Sequence, residues 1–285
     1  MLFIVGVIIV IASVLVGFAG AGGHLAVLWQ PLELLIIFGA AGGAFLIANP
    51  KAVLLGTMKS SGKLLTRSKI GKAHYLDLLA VLFSLFKLAK TKGDLALEAH
   101  VERPEESPLF QAYPSVTGNA HAVEFLCDYL RLLTLGTTNA HQIEAIMEGE
   151  LELHHGEKEA IAGSLSSVAD ALPALGIVAA VLGVIHTMGS ITEPPEILGH
   201  LIGGALVGTF SGVLASYGVA APIAHSLEKT FAAEHRYFEC IKTALVAHMQ
   251  GYAPQISVEF ARKAIPGHLR PTFTEVEETL DGVQV

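Results

Sequence analysis

Residues 172–190, LPALGIVAAVLGVIHTMGS, and residues 200–227, HLIGGALVGTFSGVLASYGVAAPIAHSL, decide how this chain folds. Neither holds a Lys, Arg, Asp or Glu. As helices, both are long enough for a bilayer's hydrocarbon core, which takes roughly 20 residues. The second stretch carries Gly204, Gly208, Gly212 and Ser216 at i, i+4 spacing, which puts all four on one helix face. The first answers with Gly176, Ala179, Ala180 and Gly183. Lipid is as apolar as Leu, so membrane helices associate through close backbone approach, and small residues permit it. Beside Gly208 stands one hydroxyl, Thr209. The pair is expected to pack as a hairpin whose small-residue face offers a dock for other helices.

Composition agrees with a membrane reading. Of 285 residues, 52% are apolar and 15% charged, with a mean hydropathy of +0.55. Soluble domains run nearer a quarter charged. Two further apolar runs cover residues 1–22 and 32–49. The first has no positive n-region and is too long for a signal-peptide core, so it is expected as a retained span. Trp29, in the link between them, suits a membrane interface. The net charge of −8 argues against nucleic-acid binding. Cys127 and Cys240 are far apart and in no CxxC, so no disulfide framework or zinc site is implied.

Between the second and third spans, from Lys51 to Lys92, come nine basic residues, and from Asp94 to Asp170 the balance turns acidic. An insert of this size is domain-like. Its apolar spacing predicts helices over 73–90, 119–135 and 139–160, the second stopping at Gly136. The stretch RPEESPLFQAYPSV reads as Pro-punctuated connection. Residues 228–250 predict an amphipathic helix, followed by a tail rich in Pro and charge. The resulting class is all-α: an integral membrane protein with four transmembrane helices and a helical cytoplasmic domain inserted between the second and third. The expected divisions are spans at 1–22, 32–49, 170–190 and 200–227, an insert at 50–169, and a C-terminal helix and tail at 228–285. All 18 Lys and Arg lie in 51–168 or 229–270, so the positive-inside rule puts the insert and both termini in the cytoplasm.

Chemical motifs are few. Gly56 and Gly62-Lys63 miss the Walker spacing, and Leu64 stands where Ser or Thr belongs. Glu150, Glu152, His154, His155 and Glu157 read as a solvated helix face rather than a closed ligand set. His186, near the outer end of a span, reads either as part of a proton route or as an interfacial His. Glu33 and Asp170 lie at span ends, so a chain moving ions by carboxylate protonation would need that group from a partner. Pro173 falls in the first turn of the third span, where a missing N–H costs nothing. Pro222 falls inside the fourth, where it frees a carbonyl and bends the helix. The bend reads equally as static or as a hinge.

The segments DALPALGIVAAVLG at 170–183, VGTF at 207–210, Pro222, and GYAPQISVEF at 251–260 resemble the MotA flagellar stator family, as do PLE at 31–33 and YLDLL at 75–79. The resemblance covers essentially the whole chain. Four spans with a large insert fit MotA better than the usually three-span TolQ and ExbB relatives. It implies a ring, a pentamer, around a MotB dimer that supplies the ion-carrying Asp. Ion flow would turn the ring against the rotor protein FliG. By the same resemblance, Pro173 and Pro222 couple, Thr209 and Ala180 belong to the ion path, and Lys90 and Glu98 face the rotor. The family often has Arg where Lys90 stands, which keeps charge but loses bidentate pairing. Ala180 matches proton-driven members; sodium-driven relatives carry Thr there. The expectation is a stator subunit in the bacterial inner membrane that is no enzyme and needs no cofactor. The alternative is a TolQ/ExbB-like energiser of a periplasm-spanning partner.

Overall fold

The computed structural model describes residues 2–63, 70–136 and 139–282. Leu64 of the Walker-like stretch, Arg67 and Lys69 of the basic run, and the ends of the expected 1–22 span and 228–285 tail lie outside them. The described residues are helical, with no strand. In order they form α1 (Leu2–Gly20), α2 (Pro31–Ala48), α3 (Lys51–Lys63) and α4 (Lys72–Lys92). Three single turns follow, α5 (Glu98–Val101), α6 (Pro108–Gln111) and α7 (Pro114–Thr117). Then come α8 (Ala120–Thr134), α9 (Ala140–Met188), α10 (Pro195–Ala215), a π-helical turn (Ser216–Ala220) and α11 (Ala221–Met249). Last are α12 (Pro254–Ala264) and α13 (Phe273–Asp281). Proline opens α2, α6, α7, α10 and α12, at the position where its fixed φ fits and its absent donor is not missed.

Four helical stretches are long and apolar enough to cross a membrane: Phe3–Gly20, Leu25–Ala48, and parts of Ala140–Met188 and Pro195–Met249. By contacts the chain makes two compact units. The first comprises residues 1–68 and 156–230. Its interior is thin, built on Ile37, Ala41, Leu172 and Ala179. Ile8, Val16, Leu35, Ile47, Val181 and Leu206 point outward. So much exposed aliphatic surface marks a contact with membrane or partner.

The second unit, residues 69–155 and 231–285, has a conventional core. Its α4 is apolar nearly all round, and Leu78, Leu82, Leu85 and Phe86 are fully buried. A helix with that pattern belongs in an interior, and each large side chain so buried stabilises by about 1.5–3 kcal/mol. Around it pack α8, the start of α9, the end of α11, α12 and α13. The expected stop at Gly136 is a left-handed glycine, φ 87°, and Asn119 caps α8 by accepting from the Ala122 N–H. The C-terminal residues are more ordered than their Pro and charge suggest. Val258, Ala261 and Ile265 are wholly buried. Thr272 and Glu275 form a capping box on α13, and Lys72 pairs with Glu275 at 2.6 Å.

Two helices run farther than the sequence pattern indicates. The expected helix at 139–160 and the span beginning at 170 form one continuous helix, α9. Likewise α11 continues from the last span into the amphipathic segment. Apolar periodicity changes character along each, but no Gly′–Pro stop separates the parts, so each helix runs on, α9 losing one ladder bond at Pro173.

Candidate functional site

Within the first unit, the small residues form a seam between α9 and α10. A Cβ placed on Gly212 would stand 2.6 Å from the Leu172 carbonyl oxygen and 2.9 Å from Gly176 Cα. One on Gly176 would stand 2.8 Å from the Gly208 oxygen and 3.3 Å from Thr209 Cα. One on Gly183 would meet Ala205 Cβ at 2.7 Å. The face expected to receive a partner helix is therefore filled by the chain's own α9. What α9 leaves outward is a different stripe, Ile177, Val181, Ile185 and Met188.

The seam brings Ala180 and Thr209 to the same crossing. A Cβ on Gly208 would lie 3.1 Å from the Ala180 nitrogen, and Thr209 is the next residue. Ala180 is buried and Thr209 half-buried. Glu33 joins them, which sequence reasoning did not foresee. It sits in the first turn of α2, yet its carboxylate reaches the seam, with Oε2 3.0 Å from that same Gly208 Cβ position. Oε2 is buried, and the backbone donor that faces the carboxylate is Gly208. Gln30, one helical turn away, lies over Gly204 in the same manner. The available signal was this i, i+3 pair of polar residues opposite two glycines.

Pro173 differs from expectation, whereas Pro222 lies, as expected, inside a continuous helical stretch, Pro195–Met249. Pro173 is not at a helix start but deep inside α9. There it has no N–H to give the Ala169 carbonyl, and Ala169 is buried. Pro222 stands second in α11, directly after the π turn Ser216–Ala220. A π turn widens the ladder locally, so the backbone irregularity is taken up ahead of the proline. Gly218 in that turn accommodates α1: a Cβ there would be 3.0 Å from Val10 Cγ1. Gly56 of the Walker-like stretch is a packing glycine inside α3, facing Ile161.

In the second unit, Lys90 and Glu98 are both exposed. They lie either side of Gly93, φ 86°, which ends α4. Leu97, fully buried, anchors the turn that carries Glu98. Among the described residues no ion pair joins Lys90 to Glu98. Beneath them His248 stacks on Phe86, centroids 4.3 Å apart and planes within 9°. Burial holds the His248 pKa below its ordinary value; Asp94 opposes this and Lys90 adds to it.

Of the Glu150–Glu157 segment, the part up to His155 is tied into the same unit. The Tyr129 hydroxyl donates to Glu150 at 2.6 Å, and His155 packs against His235, centroids 4.6 Å apart. No cluster of three metal-ligating side chains occurs among the described residues. Cys127 and Cys240 are buried free thiols; burial pushes Cys127 up to about 12. His186 is exposed at the end of α9.

Residues 119–240 match the MotA/TolQ/ExbB proton channel family, and residues 4–93 match the motility protein A N-terminal family. These matches place the chain among membrane proteins of the MotA/TolQ/ExbB proton channel family. Motility protein A of Salmonella typhimurium is 44% identical over 284 residues, covering 100% of this chain and 96% of its own. The chain belongs to the motility protein A family. Two solved structures share its fold. "Structure of C. jejuni MotAB" has a TM-score of 0.80 at 20% identity, covering 95% of this chain and 98% of that one. "Structure of the flagellar MotAB stator complex from Bacillus subtilis" has a TM-score of 0.72 at 24% identity, covering 90% and 92%.

Proposed function

We infer the function from the family and the seam together: the chain is a stator subunit of the bacterial flagellar motor, a multi-pass inner-membrane protein that conducts protons with MotB. The observation that carries this reading is full-length 44% identity to a motility protein A. Chemistry on this chain is confined to transport. The insert and both termini face the cytoplasm, as the Lys and Arg asymmetry requires. Several copies, five by family resemblance, ring a MotB dimer whose Asp carries the ion, while Thr209 and Ala180 line the path. Moving one charge through ~100 mV yields ~2.3 kcal/mol, which is little per ion, so stiff coupling is needed. A seam without side-chain slack supplies stiffness, and Pro173 and Pro222 give it fixed points of bending. Lys90 and Glu98 engage FliG through charge, which sets register and encounter more than affinity.

The test is twofold. Expressed in a strain lacking its own stator subunit, together with a matching MotB, this chain should restore swimming. With a plug-deleted MotB it should acidify the cytoplasm, and without MotB it should not. Conduction by the chain alone, or no conduction with MotB, would refute the reading.

A further inference from the structure

We propose that Glu33 is a further residue of the ion path, a proton relay on the outer side of the Ala180–Thr209 crossing. The proposal rests on the stator reading above and deepens it. An acidic residue in the first turn of a helix is ordinarily explained by the free N–H groups there. That explanation fails here, because Glu33 Oε2 is buried and the backbone donor facing the carboxylate is Gly208 of α10, not a free N–H of α2. The side chain instead turns away from α2 into the seam. It lies 3.0 Å from where a Cβ of Gly208 would be, and Oε1 lies 3.4 Å from where one of Gly183 would be. Those two glycines, one on α10 and one on α9, leave the space the carboxylate fills. An Ala at Gly208 would press on Oε2, on Ala179 Cβ and on the Ala180 nitrogen together, all within 3.1 Å.

A second observation points the same way. Gln30 Nε2 lies 3.0 Å from the Cβ position of Gly204, and it donates to the Val27 carbonyl. Polar side chains at the start of α2, from its N-cap Gln30 and from Glu33, therefore stand over successive glycines of α10, Gln30 at Gly204 and Glu33 at Gly208. Thr209 follows at the next residue. Together they make a polar line from the link at 23–31 to the Ala180–Thr209 crossing. An ionisable group inside a membrane-spanning unit is costly and, when retained, marks an ion route. Apolar packing of this seam would not call for a carboxylate.

The step balances simply. Hydronium arriving from the outer side breaks one O–H bond as the Glu33 carboxylate forms one, releasing water. The carboxylic acid then gives that proton, through water of the path, to the carboxylate of the MotB helix, and the Glu33 carboxylate is restored. No oxidant or other co-reactant is consumed.

The experiment uses the full chain with plug-deleted MotB and reads proton flux as cytoplasmic acidification, with membrane level and MotB co-purification matched. Glu33→Gln fills the same cradle without an ionisable group. It should leave the complex intact and lower flux by about tenfold or more, the scale on which a positioned proton-transfer group contributes. Glu33→Asp should keep most of the flux. If the Gln complex does not assemble, Glu33→Asp and Glu33→Asn, alike in size, decide the matter by the same comparison. Wild-type flux in the Gln complex overturns the proposal, as does equal loss in Asp and its amide, or failure of every variant to assemble, since each assigns Glu33 to packing. Absence of flux from the unmutated complex would instead sink the stator reading.

Discussion

Gly212→Ala should loosen the α9–α10 seam, and its size can be worked out. The added methyl would stand 2.6 Å from the Leu172 oxygen, 2.9 Å from Gly176 Cα and 3.2 Å from the Gly176 nitrogen. All three are backbone atoms, which no rotamer change can move aside. Relief requires the helices to separate by several tenths of an ångström, and inserting a methyl into such a contact costs about 3 kcal/mol, the upper end of overpacking. Against this, Ala gains about 1 kcal/mol of helix propensity over Gly. The net is about 2 kcal/mol, which lowers the unfolding midpoint of a protein this size by about 4–8 °C. Gly199→Ala, on the same helix with nothing within 4 Å of its Cβ position, is the control and should melt at or slightly above the parent. The assay is thermal unfolding of the purified chain in detergent, paired with swimming speed in cells. Gly212→Ala should swim poorly because the crossing also places Ala180 beside Thr209. Equal midpoints for Gly212→Ala and Gly199→Ala, with normal swimming, would show that the seam is not close-packed.

Lys90→Glu and Glu98→Lys should each impair swimming while membrane level and proton flux persist, and charge reversal on the facing FliG surface should restore part of it; lost flux would give these residues a folding role instead. Single cysteines at His24 or Glu196 should react from outside with an impermeant thiol reagent, and one at Gln111 should not; labelling at Gln111 in intact cells would invert the topology. Burial holds His235 below its ordinary pKa, with His155 adding to the effect and Glu239 opposing it, and His248 is lowered as well. Unfolded, both take up a proton near pH ~6.5, and folded only at lower pH, so the unfolded state binds more protons in that window. Stability is then fully present above ~6.5 and declines as pH falls through it. The thermal midpoint should drop between pH 7.5 and 5.5, less so in His235→Gln. Glu259 and Glu275, both lowered by their basic or hydroxyl partners, titrate below that window and do not obscure it.

Much of the architecture was legible because the governing signals are local. Uncharged runs of span length and the i, i+4 glycines each act within one helix. The long-range consequences were not legible. Small-xxx-small spacing says that a face packs closely but not against what, and α9 of the same chain occupies it. Glu33 was placed by its position along α2, at a span end, whereas a Glu side chain reaches across to another helix. The tail after Gly251 was obscured by its prolines, yet Pro254 begins α12 and Val258, Ala261 and Ile265 keep an apolar i, i+3, i+7 stripe into the core.

Pro173 shows how context reverses a local inference. Judged by the span alone, it belongs to a first turn and costs nothing. In the structure the helix has already run from Ala140, so the proline interrupts an established ladder, at a cost of about 3 kcal/mol in an ordinary helix interior. Helix propensity would remove it, and membrane insertion does not need it. The adjacent seam gives a reason for it to stay. The carbonyl of Leu172, immediately before Pro173, is the atom against which Gly212 packs. Pro173 therefore sits one residue from the contact that closes α9 on α10, in the helix that also carries Ala180. The backbone defect and the glycine contact are thus parts of one arrangement, and a residue that restores the ladder at 173 should disturb the crossing as surely as a methyl at 212.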